Sequence, residues 1–73
     1  MQRDPGGIHE QAAAVHDEAV AGHVEAAELW ERRGEMEHAA LERRNAELER
    51  TAAQLERDRA AFVRRRPDIH DRS

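Results

Sequence analysis

The sequence predicts an all-α protein: an antiparallel two-helix hairpin, coiled-coil-like, that dimerises into a four-helix bundle. Three observations predict it. Two long stretches each carry a seven-residue apolar repeat with no proline inside, they meet at Gly34, and the repeat changes register there. Carried past Gly34, the first register would place Arg43, Glu47 and Arg50 in the seam. The second stretch is therefore expected to turn back on the first.

Residues 1–7 read as an N-terminal cap segment. Asp4-Pro5 is a helix-start signal, with Asp4 as candidate N-cap and Pro5 at the first helical position. Gly6-Gly7 weakens that turn, so the first helix is expected over 8–33. Its seam is Ile8, Ala12, Val15, Ala19, Gly22, Ala26 and Leu29, at the alternating spacing of a and d positions. Arg32-Arg33-Gly34 reads as a helix end, with cations in the last turn and a glycine able to take the left-handed conformation.

The second helix is expected over 35–63, with the seam His38, Leu41, Asn45, Leu48, Ala52, Leu55, Arg59 and Phe62. Arg64 to Arg66 followed by Pro67 ends it, and residues 64–73 form a polar tail. Folding the chain about Gly34 sets Ala26 against Leu41, Ala19 against Leu48 and Ala12 against Leu55, an Ala/Leu seam in which small opposes large. Gly22 then faces Asn45 and Ile8 faces Arg59, while Glu25 meets Arg44 and Arg32 meets Glu37 on one flank.

The other flank carries histidines. His9, His16 and His23 recur every seven residues, with Trp30 next on the line, and Glu56, Glu49 and Glu42 fall opposite them in the same fold. Beside this line runs a strip of small residues: Ala13, Val20 and Ala27 on one helix, Ala39, Ala46, Ala53 and Ala60 on the other. A hairpin with a second apolar strip has a surface to pack, and a copy of itself is the economical partner. These seven residues and Trp30 are the expected dimer interface. His16, His23, Glu42 and Glu49 are the candidate metal ligands, because imidazole and carboxylate brought together by two-fold symmetry suit Zn or Fe. The plainer role of the same residues is His–Glu hydrogen bonding beside a core, and a pH-sensitive interface is a third.

Composition narrows the function classes. The chain has 73 residues, of which 14 are alanine, with one Trp, one Phe and no Cys. A domain this small buries little apolar surface, and without disulfides it is expected to gain stability from self-association or a metal. Net charge is −4, which disfavours nucleic acid as a partner, and all twelve basic residues are Arg. No apolar run is long enough for a membrane span and no signal-peptide core is present, so a cytoplasmic protein is expected.

Catalysis finds no support. The single Ser is Ser73 and no Ser/His/Asp or Cys/His set exists, so the protein is expected not to be an enzyme. Glu35-x-x-His38 matches the Glu-x-x-His element of di-iron bundles, but it occurs once, beside the turn, where it serves a helix start. In outline the chain is similar to small secreted helical hairpins with a Trp-x-Gly turn. It departs from them at that motif, since Trp30 and Gly34 are spaced Trp-x-x-x-Gly, and no role is carried across. The expected function is a small self-association or protein–protein interaction module acting as a homodimer or with another helical protein. The alternative is a metal-binding four-helix bundle.

Overall fold

The computed structural model describes residues 4–66. They form two helices, α1 over Gly7–Arg32 and α2 over Met36–Arg65, packed against each other as a hairpin. The reversal at Gly34 is a Schellman turn. Gly34 has φ +76°, its N–H donates to the Glu31 carbonyl at 3.0 Å, and the Glu35 N–H donates to the Trp30 carbonyl at 2.9 Å. That left-handed backbone is the reason for glycine here, because a Cβ would crowd the following carbonyl.

The first turn of α1 differs in detail from expectation. Gly6, not Asp4, is the N-cap residue. Asp4 forms the turn ahead of it: its carboxylate accepts the Gly6 N–H at 3.1 Å and its carbonyl accepts the Gly7 N–H at 2.9 Å. At the far end α2 runs two residues past the expected stop. Arg64 stays helical and its guanidinium reaches back to Asp4 and Glu10, tying the open end of the hairpin. Arg66, just before Pro67, leaves the helix at φ −126°, ψ 58°, as a residue preceding proline is inclined to do. Pro67 itself and the tail over 67–73 lie outside the described residues.

The seam is where the structure corrects the sequence reading. The buried residues of the two helices are Ala13 and Ala27 on α1 and Ala39, Ala46, Ala53 and Ala60 on α2, with Val20 half-buried among them and Gly6 buried at the open end. The strip assigned to a dimer interface is therefore the contact within the chain. The expected Ala/Leu seam faces outward instead: Leu41 is 57 % exposed and Leu48 68 %. Gly22 does not meet Asn45, since a Cβ placed on it would touch nothing within 4 Å.

The physical reason lies in what each strip contains. The inner row has no polar side chain on either helix, and small residues at every seventh position let two backbones approach closely along their whole length. Closing the other seam would desolvate His38, Asn45 and Arg59 on α2. The inner row also has charged neighbours on both sides that can pair across it.

Candidate functional site

Those neighbours form two different flanks. On one side His9, His16 and His23 donate their Nδ1–H to Glu56, Glu49 and Glu42, at 2.9, 2.5 and 2.7 Å. The three rungs expected from the seven-residue spacing are all present, each with its histidine about one-third exposed. His9 holds the Glu56 carboxyl below its ordinary range by that hydrogen bond, helped by Arg59 at 3.3 Å. On the other side Arg43 pairs with Glu31 at 2.7 Å, Arg57 with Asp17, and Arg64 with Glu10 and Asp4. Glu31 raises the Arg43 guanidinium, Asp4 and Glu10 raise Arg64, and Arg64 with the Gly6 N–H lowers the Asp4 carboxyl.

The Arg flank escaped the sequence reading. Its signal was available: Glu10, Asp17 and Glu31 each sit one position after the line of His9, His16, His23 and Trp30. Arg43 and Arg57 sit one position after Glu42 and Glu56, and Arg64 follows Arg57 by seven. Both flanks follow once the alanine row is taken as the contact. The expected pairs Glu25–Arg44 and Arg32–Glu37 do not form, because that rotation carries all four to the outside.

Trp30 is engaged within its own chain. Its ring stacks on His38 at a centroid distance of 4.0 Å and an interplanar angle of 3°, and the Arg33 guanidinium lies 5.6 Å from the indole. This stack closes the turn end of the hairpin, as Arg64 closes the open end.

The candidate metal ligands are paired two by two, His16 with Glu49 and His23 with Glu42. Successive rungs are seven helical residues apart, about 10.5 Å at 1.5 Å per residue. One ion cannot take all four within a chain. Among the described residues no three His, Asp or Glu side chains gather around a point.

What remains open is a face. Ile8, Val15 and Leu29 on α1, and Leu41, Leu48, Leu55 and Phe62 on α2, are all exposed. At about 100° per residue they lie on the histidine side of the hairpin, next to the half-buried Ala12, Ala19, Ala26 and Ala52. Among the described residues, one shallow groove lies beside Leu41 and Arg44 and another beside His9, Arg59 and Phe62. The Arg flank carries no such row. The hairpin is thus amphipathic as a unit, with the histidine rungs down the middle of its apolar face. Among the described residues no helix is long and apolar enough to cross a membrane. Comparison with known proteins gives no match among family models, curated proteins or solved structures.

Proposed function

We propose that the protein is a small self-association module whose apolar, histidine-bearing face packs against another copy of the hairpin. The exposed Leu41, Leu48, Leu55 and Phe62 row carries this reading, together with Ile8, Val15 and Leu29 across the rungs. A solvent-facing helix ordinarily places charge where this chain places these large apolar side chains. The inner seam supports the same conclusion from the other direction. Among the described residues only alanines and one glycine are buried, and a 73-residue chain with such a seam has most to gain from covering its second strip. Two hairpins closing as a four-helix bundle are the smallest assembly that does so.

Sedimentation equilibrium tests it. The wild type is expected above the 8.3 kDa of one chain. A Leu48→Glu, Leu55→Glu variant is expected at the mass of one chain with its helical circular dichroism retained, since both side chains are exposed in the hairpin. A folded wild-type monomer at high protein concentration would overturn the reading.

A metal-bridged form of the same assembly is the second reading, favoured by one observation. Each of His9, His16 and His23 donates Nδ1–H to a carboxylate, which leaves Nε2 as the ligand atom, the arrangement that orients metal-binding imidazoles. Native mass spectrometry of protein purified without chelator tests it. Stoichiometric Zn or Fe mass, lost in the His16→Ala, Glu49→Ala variant, supports it, and an assembled metal-free species removes it.

A further inference from the structure

We propose that the two strips left open by the hairpin close on each other between copies, so that α1 of one copy packs antiparallel on α2 of the next. The inference rests on the self-association reading and adds which helix meets which. Its first argument is shape. The open strip of α1 is mainly small at its centre, Ala12, Ala19 and Ala26, and the open strip of α2 is large, Leu41, Leu48 and Leu55. The spacing that sets Ala26 against Leu41, Ala19 against Leu48 and Ala12 against Leu55 goes unused within the chain, because the helices meet through the alanine row instead. Between chains the same register is available; it covers His38, Asn45 and Arg59 at the same desolvation cost as within a chain, so this contact ranks after the alanine row and forms only once that row has closed. Pairing α2 with α2 would put large on large, and α1 with α1 small on small, leaving one contact overfilled and the other hollow.

The second argument is charge. In this register Glu25 lies beside Arg44 of the next copy, and Arg32 beside Glu37. Within the hairpin all four are exposed, and none is in an ion pair with another described residue. The flanks of the inner seam are each complementary in charge, and these four residues give the outer strip a complementary flank of its own.

The third argument is closure. Each copy offers one strip of each kind, so the contact closes into a ring or a two-fold bundle once both strips of every copy are filled. On each helix the open strip is centred roughly 130° around from the alanine row, with the histidine or glutamate position between them. The three His–Glu rungs of each copy therefore turn to the inside of any closed assembly, where carboxylate and imidazole satisfy each other.

Disulfide trapping tests the pairing, since the chain has no cysteine of its own. Ala19→Cys and Leu48→Cys chains are made separately, so that no intrachain bond can form, and co-refolded in equal amounts in a glutathione redox buffer. The linked products are identified by mass. The expected result is a several-fold excess of mixed links, one chain of each variant, over links between two chains of the same variant. Random pairing would give the two kinds equally. Predominant links within either variant alone would overturn the proposal while leaving self-association standing, and so would an even split. A wild-type monomer by sedimentation would overturn both. The charge flank provides a variant that preserves the fold: Glu25→Arg is expected to weaken association several-fold, and adding Arg44→Glu to restore it. Equal weakening by the single and double variants counts against the pairing.

Discussion

The inner and outer strips of this hairpin share a period and differ in size. The inner strip repeats alanine on both helices and is buried, Ala27 completely and Ala46 to 1 % exposure. The outer strip is more apolar by volume and is open to solvent. Hydrophobicity alone would rank them the other way. What separates them is that alanine rows bring two backbones together along their length without a polar interruption, while the outer strip of α2 also carries His38, Asn45 and Arg59 beside its leucines. The lesson concerns α-hairpins in general: the contact within a chain can go to the smallest continuous strip, and the larger side chains are then left exposed.

The sharpest way to break this comparison is to change the size of one member of each strip. Ala46→Leu is expected to cost the hairpin ~1–3 kcal/mol, because the helices must separate to admit the side chain. Leu48→Ala is expected to change hairpin stability by less than ~0.5 kcal/mol at concentrations too low for association. Urea unfolding at low micromolar concentration measures both, and equal effects would remove the distinction between the strips.

The turn ranks next. Gly34→Ala forces a Cβ into φ +76° and is expected to cost ~1–2 kcal/mol, seen as a lower urea midpoint. Gly22→Ala, by contrast, meets open space and is expected to stabilise α1 by ~0.5–1 kcal/mol.

A smaller effect separates the two flanks by pH. The Glu56 carboxyl is held below its ordinary value by His9 and then Arg59, and Asp4 below its own by Arg64 and the Gly6 N–H. A carboxyl depressed in the folded state contributes stability that is fully present above its unfolded value of 4.5 for Glu56, and that contribution is lost as pH falls through the lower folded value. The melting temperature is therefore expected to fall on acidification below about pH 4.5. Glu56→Gln should show a shallower fall over that window, and Asp4→Asn a shallower fall at lower pH. Identical profiles for wild type and both variants would contradict the rung and the Arg64 clasp together.

The smallest expected effect is at the turn stack. His38→Ala removes the partner of the Trp30 ring at an exposed position, at a cost of ~0.5 kcal/mol. The measurement is tryptophan emission, expected to shift to longer wavelength as the indole gains water. An unchanged spectrum would mean that the ring is covered by something other than His38.

Much of the molecule was legible in its residues. A seven-residue period without proline specifies two helices, and a glycine after two arginines specifies where the first one ends. Histidines and glutamates at matched sevenfold spacing specify rungs, because folding the chain about Gly34 sets them opposite one another whichever of the two strips closes. Those features depend on local backbone preference or on spacing along one helix, and spacing is written in the sequence itself.

The choice of face was decided by the tertiary structure. Both strips have the same period, so period cannot rank them. The ranking depends on how near the two helix axes come, and that distance depends on every residue of both rows at once. Once the alanine row closes, the rest follows from a rigid rotation: Asp17 and Glu31 reach Arg57 and Arg43, Glu25 and Arg44 swing apart, and the leucines turn outward. A helix periodicity determines which residues share a face. Only the packing of one helix on another determines which face is used.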